Sequence, residues 1–336
     1  MKELMAILQQ LEREPRTPHA LATLVTVEGS SYRRTGARLL VNGAGVSLGS
    51  ISGGCLEEDV RERARVVLAE GVAQVAVYDT TAENDLVWGV GLGCQGVVRV
   101  LVERLAGQPG WARAVQRNLA ERKETRLNVV WEAADKTMLG TREAAEMDGG
   151  AKEMAKETMK VFEDTVRPPV RLVIFGAGDD AQPLARMAKE LGWQVEVRDA
   201  RAGYATTGRF PAADVVKVER AEAAADLAMD ALTVAVIMTH RYREDGPLLR
   251  ALLPRALPYV GLLGPKKRAE RILSELAGEG FAVTEAMRGR LHAPVGLDIG
   301  GDTPEAVALA VLAEMQAVLA GRDGRPLRER TRPIHA

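Results

Sequence analysis

Cysteine is nearly absent from this chain, with only Cys55 and Cys94 among 336 residues. Two thiols cannot complete a four-ligand structural zinc site within one chain, and such sparing use argues against a secreted disulfide scaffold. Long apolar runs are missing too, since no stretch approaches the ~20 uninterrupted residues that cross a bilayer as a helix. A formal net charge of −1 leaves no broad field to attract nucleic acid or anionic lipid. The opening "MKELMAILQQLEREP" lacks the basic, apolar and small-residue order of a secretory signal. Leu4, Ile7, Leu8 and Leu11 instead mark one face of a short amphipathic helix. No G-x-S-x-G elbow, H-E-x-x-H pair or Walker loop occurs, which disfavours hydrolase and P-loop chemistry. The expectation is a cytoplasmic protein with no membrane span and no nucleic-acid partner.

The length suits two domains, each large enough for its own core. In the first half, "ALATLVTVE" reads as a buried strand and "GSSYRRTG" as a polar loop. "ARLLV" and "GVSLGS" read as strands joined through the hairpin signal "NGAG". A helix is predicted from about Leu56 to Ala69, then strands at "VAQVAVYDT" and "VVRVLVE". This predicts a mixed α/β domain over residues 1–105. Residues 106–167 read as a linker with some secondary structure, in which "RLNVVWE" is a candidate strand. A strand–helix alternation fills 168–322, and 323–336 reads as a basic, solvated tail, with five arginines in the closing "GRDGRPLRERTRPIHA".

That alternation predicts parallel βαβ units under helical layers. "VRLVIFGAGDDAQPLARMAKELGWQVEVRDAR" carries its most specific local pattern. Gly176, Gly178 and Ala181 give G-x-G-x-x-A between a strand and a helix, and Asp199 follows at the end of the next strand. In a Rossmann-like fold, Gly176 permits the tight turn and Gly178 the close approach of a pyrophosphate, while Asp199 is placed to bind ribose hydroxyls. Asp179 and Asp180 complicate this picture, because a carboxylate at the helix start repels an incoming phosphate unless a metal or Arg201 compensates. His240, Asp245, Gly261, Gly264, Lys266, Lys267, His292, Asp298, Gly300 and Gly301 fall beyond the carboxyl ends of strands, the edge where such folds bind ligands. Thr303 and Pro304 mark the start of a long closing helix.

Both cysteines lie in glycine-rich loops. Cys55 follows Gly53 and Gly54 at a helix start, and Cys94 sits in "GVGLGCQG". Glycine keeps side chains away, so backbone N–H groups there are free to face a bulky anion. A helix N-terminus lowers a thiol pKa by less than one unit, and Glu57, Glu58 and Asp59 oppose even that. A soft thiolate ligand for a metal therefore fits Cys55 better than a free nucleophile.

Together these segments resemble the XdhC/CoxI family, accessory proteins of molybdenum hydroxylases such as xanthine dehydrogenase and carbon monoxide dehydrogenase. "VEGSSYRRTGARLLV", "GSISGGCLEEDV", "GLGCQG", "RPPVRLVIFGAG", "DARAGYATTGRFPAADVV", "MTHRYREDGPLLRALL", "PYVGLLGPKKRAERIL" and "RLHAPVGLDIGGDTPEAVALAVLAEM" follow in family order over nearly the whole chain. The resemblance implies an N-terminal XdhC/CoxI domain, a C-terminal Rossmann domain and a homodimer. It implies binding of molybdenum cofactor (molybdopterin or its dinucleotide form), its protection and sulfuration, and delivery to the apo-enzyme of a molybdenum hydroxylase. A cysteine desulfurase is an expected partner. Cys55 would hold the molybdenum, with Cys94 as a second family cysteine. Gly53, Gly54, Ser30, Ser31, Arg33 and Arg34 would hold the pterin and its phosphate. Gly176, Gly178, Asp199, Arg201, His240, Gly264 and Asp298 would line the crevice for NAD(P) or a cofactor's nucleotide tail. Two departures stand out: Gln95 replaces the glycine usual after Cys94, and Asp179 stands where the family often has histidine.

Two competing readings remain open at this level. An NAD(P)-dependent oxidoreductase, with His240 or Lys266 as acid–base, explains the glycine turn but neither cysteine loop. A scaffold that has lost its ligand explains Asp179 and Asp180. The cysteine loops favour a cofactor-binding chaperone over a catalyst.

Overall fold

The computed structural model describes residues 1–79, 96–147 and 159–331. The chain folds as two units, Met1–Pro168 and Pro169–Ala336.

In the first unit, strands β1 (His19–Gly29), β2 (Arg38–Asn42), β3 (Ser47–Gly49), β4 (Gln74–Asp79) and β5 (Gly96–Leu105) form an antiparallel sheet ordered β3-β2-β1-β5-β4. The two-residue pleat decides what each face meets. Ala20, Ala22 and Leu24 of β1 pack with Val60, Ala64 and Val67 of helix α2 (Glu57–Glu70). Leu21 packs on the opposite face with Ile7, Leu8 and Leu11 of α1 (Lys2–Arg13), as the spacing of the first helix predicts. Burial on both faces explains why "ALATLV" reads as continuously apolar.

The segment expected as a linker is instead a structured part of this unit. Helix α3 (Gly110–Ala120) leads into β6 (Thr125–Ala133), β7 (Gly140–Glu143) and β8 (Met159–Val166), an antiparallel sheet ordered β7-β6-β8. Val129 and Trp131 of β6 pack against Val25 and Leu101 of the larger sheet. Two polar contacts fasten the sheets together. The buried Glu103 carboxyl accepts from Thr141 N–H at 3.0 Å and from its hydroxyl at 2.5 Å, and Arg38 donates to Asp164 at 2.7 Å. Burial pushes the Glu103 carboxyl up, against these hydrogen bonds and the nearby Arg38 and Arg142. The sequence of β8, "MKVFEDTV", hides its strand character because Lys160 and Glu163 are exposed and the inward Asp164 is an acid that meets Arg38 only in the folded unit.

The second unit is a doubly wound sheet. Strands β9 (Arg171–Phe175), β10 (Gln194–Asp199), β11 (Val215–Val218), β12 (Thr233–Ile237), β13 (Tyr259–Leu262) and β14 (Leu291–His292) run parallel in the order β11-β10-β9-β12-β13-β14. This is the Rossmann order, and its switch point lies between β9 and β12. Leu172 and Ile174 face one apolar layer, built on α4 (Ala181–Glu190) and the closing helix α8 (Pro304–Leu319). Val173 and Phe175 face the other, with α5 (Tyr242–Leu252) and α6 (Lys266–Gly278). Helix α5 starts at Tyr242, ahead of the expected "PLLRALLP", and takes Pro247 inside it. A short α7 (Glu285–Arg288) completes the helices described.

Thr303 caps α8 as expected, its hydroxyl accepting from Ala306 N–H at 3.2 Å. Thr303→Ala should therefore lower stability by about 1 kcal/mol, measured by urea denaturation with an unchanged m-value.

Candidate functional site

The loop between β3 and α2 carries Cys55, whose side chain is exposed. Gly53 and Gly54 reach φ values of 88° and 124°, the region that favours glycine. The expectation that their N–H groups face an anionic guest needs correction, because those groups already face Glu57. One Glu57 oxygen accepts from the N–H groups of Ile51, Ser52 and Gly53 at 3.2, 2.9 and 3.2 Å, and from the Ser50 hydroxyl at 2.9 Å. The other accepts from Gly54 N–H at 2.9 Å and from the Ser52 hydroxyl. The chain thus fills its own anion nest with a carboxylate from the first turn of α2, which the helix dipole also favours. Burial pushes this carboxyl upward, but the hydrogen bonds from Ser52, Ser50 and Ile51 outweigh it and hold it at about 2, against a usual 4.5.

The neighbouring wall is the loop between β1 and β2. Tyr32 lies against the glycine turn, so that a Cβ on Gly53 would sit 2.7 Å from its ring, while 70% of the residue remains exposed. Arg33 turns away to Glu3 of α1, donating at 3.0 Å in a two-pronged pair. Arg34 closes the turn through its carbonyl, which accepts from Ala37 N–H at 3.1 Å, while Ser31 is half-buried. Ser30 lies against Gly96, where a Cβ would come 2.5 Å from the Ser30 carbonyl oxygen. Cys94 lies outside the described residues. Among the described residues, no group of three or more His, Cys, Asp or Glu is arranged to hold a metal ion.

In the second unit, Gly176, Gly178, Asp199, Arg201 and His240 converge at the switch point. Gly176 takes a φ of 116°, and a Cβ there would lie 2.2 Å from the Met238 carbonyl oxygen, so only glycine fits between β9 and β12. Asp199 receives Ala177 N–H at 2.8 Å and three N–H groups of Arg201, from its backbone, Nε and Nη2, at 2.8, 2.9 and 2.6 Å. Burial raises this carboxyl, yet those hydrogen bonds hold it below the usual carboxylate range. Of the two compensations for Asp179 considered from the sequence, a metal or Arg201, the arginine is committed to Asp199, and a different cation meets Asp179. That cation is Arg209, which meets Asp179 at 2.8 Å and shares the face of Tyr204 with Arg201. Asp180 pairs with His240 at 2.7 Å, and His240 holds a φ of 55°, uncommon outside glycine.

Other expected site residues turn out to have structural partners. Asp245 is buried between the Thr239 hydroxyl, 2.6 Å away, and Arg268 Nε at 2.9 Å. His292 stacks on Tyr259 at 4.2 Å and meets Glu314 at 3.1 Å. Gly264 (φ 131°) packs close to Arg268, whereas Asp298 is exposed. Sequence reasoning missed the roles of Glu57, Tyr32, Arg209 and Tyr204. Only Glu57 left a signal, as an acid one helical turn beyond a glycine pair whose N–H groups need an acceptor.

Known proteins share both units. The XdhC and CoxI family profile matches residues 13–79, and the XdhC Rossmann domain profile matches residues 172–315. A Bacillus subtilis (strain 168) protein named as a probable xanthine dehydrogenase subunit is 31% identical over 317 residues, covering 90% of this chain and 93% of that protein. The molybdenum cofactor insertion chaperone PaoD of Escherichia coli (strain K12) is 26% identical over 89% of this chain and 82% of its own length. A crystal structure described as a xanthine dehydrogenase from Bacillus halodurans overlays with a TM-score of 0.78 at 28% identity, covering 98% of both chains.

The Glu57 carboxylate should make the first unit acid-sensitive. Its folded pKa is depressed, so its contribution is complete above pH 4.5 and is lost as pH falls from there through about 2. Glu57→Gln should cost about 1.5–3 kcal/mol at neutral pH, and most of that loss should vanish near pH 2, read from denaturant midpoints across pH.

Proposed function

The chain belongs to the XdhC and CoxI family, and on that premise we propose that it binds molybdenum cofactor and delivers it to a molybdenum hydroxylase of the xanthine dehydrogenase type. The observation that carries this reading is the exposed Cys55 thiol, held out from a glycine turn whose backbone is satisfied by Glu57. A single thiol is one ligand. It suits a metal that arrives with most of its coordination already supplied, as molybdenum does in its dithiolene cofactor, better than a bare ion that the chain must enclose.

The donor set fits at the metal and needs revision at the phosphate. Cys55 is the soft ligand, and coordination would remove its proton. The N–H groups of Gly53 and Gly54 are committed to Glu57, so they do not cradle the pterin phosphate in this arrangement. That task falls to the Ser30–Arg34 loop, where Arg33 would exchange Glu3 for a phosphate oxygen. Tyr32 offers an exposed ring against the Gly53 turn that precedes Cys55, on which a flat pterin can stack. When bound, the cofactor supplies the redox and sulfur chemistry; this chain's residues hold it, keep it oriented and let it go. A ligand set of one thiolate is compatible with release, which a carrier needs.

A cysteine desulfurase as sulfur donor, a homodimeric state and a cytoplasmic location belong to the same proposal. Among the described residues, no helix is long and apolar enough to cross a membrane. The oxidoreductase reading, with His240 or Lys266 as acid–base, leaves the exposed Cys55 loop without a role, while His240 is hydrogen-bonded to Asp180.

The test is retention of cofactor. Purified chain mixed with cofactor released from a molybdenum enzyme should carry molybdenum and pterin through gel filtration. Cys55→Ser should retain at least about tenfold less, a loss of about 1.4 kcal/mol or more. Equal retention by the two proteins would count against Cys55 as the ligand.

A further inference from the structure

Beside the glycine turn of the second unit, the ends of β9, β10, β11 and β12 border an open cleft. Phe175, Ala200 and Leu248 give it apolar walls, and Arg220 and Thr239 supply polar groups. In a doubly wound sheet, this position beyond the second strand receives a nucleotide's ribose. An acid there accepts the free 2′-hydroxyl, whereas an arginine accommodates a 2′-phosphate. The chain has both residue types, Asp199 and Arg201, so their contacts decide.

A carboxylate offers about four acceptor positions. At Asp199 they are taken by Ala177 N–H and by three N–H groups of Arg201. A ribose diol would have to break the Arg201 contacts to reach it. Of the other acids lining the cleft, Glu219 pairs with Arg198 and Lys217, and Glu244 meets Arg241 through one oxygen. Two arginines have donors to spare there, Arg220 in the lining of the cleft and Arg201 beside Asp199 at its edge. Among the described residues, Nη1 of Arg201 makes no hydrogen bond, and the exposed Arg220 side chain has no hydrogen-bonding or ionic partner. A ribose hydroxyl can donate or accept, whereas an anionic phosphate is held by donors, best by charged ones.

We propose that this cleft binds a nucleotide carrying a 2′-phosphate, of the NADP(H) class, with Arg201 and Arg220 as the phosphate donors. Asp199 is a positioning residue that aims Arg201 and holds the glycine turn. The site is independent of the Cys55 reading and stands or falls without it.

Titration of the full chain with 2′,5′-ADP and 5′-AMP isolates the phosphate, and NADPH against NADH repeats the comparison on whole dinucleotides. The 2′-phosphorylated member of each pair should bind at least about tenfold more tightly, as followed by calorimetry and NADPH fluorescence. Arg220→Ala removes a side chain with no partner among the described residues, so it should leave the melting temperature unchanged while reducing that preference several-fold. Arg201→Ala should reduce it further. Equal or tighter binding of 5′-AMP and NADH, no binding of either pair, or a preference unaltered by Arg220→Ala would each overturn the proposal.

Discussion

Backbone N–H groups in a glycine-rich turn must find acceptors, and in both units this chain supplies them from its own acids. An N–H left unsatisfied in a buried turn costs about 1–3 kcal/mol, so a turn rich in them either awaits a ligand or carries a substitute. Glu57 is the substitute in the first unit, and it meets the N–H groups of four consecutive residues, Ile51 to Gly54. Asp199 does a smaller share in the second, holding Ala177 N–H at the head of the glycine turn. Both acids lie below the usual carboxylate range for the same reason, because donors converge on the ionised form more strongly than burial disfavours it. The loops are therefore ordered by the protein itself, before any guest arrives.

This changes what the loops offer to a partner molecule. In the first unit, the recognition surface is a thiol and an aromatic ring, with arginine on the adjoining loop. In the second, it is guanidinium. Asp179 and Asp180, which look hostile to a phosphate when read along the chain, are each met by a basic side chain across space, Arg209 and His240. Arg209 thereby offsets the charge of Asp179, and His240 gives Asp180 a hydrogen-bond partner. A scaffold without a ligand would still need Gly176, because any larger residue would collide with Met238 where β9 and β12 approach. The glycine pattern accordingly speaks for the fold, and the unspent donors of the cleft speak for a ligand.

Legibility in the sequence followed the physics of each element. The parallel sheet was readable because its strands are buried on both faces and its helices keep a 3.6-residue period, so "VRLVIF" and "LTVAVIMTH" stand out. The second sheet of the first unit was not, because β7 is four residues long and β8 mixes exposed Lys160 and Glu163 with an inward acid, Asp164. Thr303 was readable as a cap because capping is local, acting over three residues. The pairs Arg38–Asp164 and Arg209–Asp179 were not, because each joins residues that only the folded chain brings together. Cys55 was found from its glycine neighbours, but the group that shapes its loop was taken only as a charge opposing the thiol.

The topology of the antiparallel sheet explains why the thiol loop and the Ser30–Arg34 loop meet. Strands β1, β3 and β4 end, and β2 and β5 begin, on the same side of that sheet, since every neighbouring pair is antiparallel. The loops that follow Gly29 and Gly49 must therefore leave from one end, and Tyr32 reaches the Gly53 turn across a short gap. Gly96 enters at that same end, pressed against the Glu28 and Ser30 backbones too closely for any side chain. Chain segments far apart in sequence are thus delivered to one rim by strand direction alone. The rigid part of the site is the sheet, and its chemistry is confined to residues that the sheet leaves unpaired at its end.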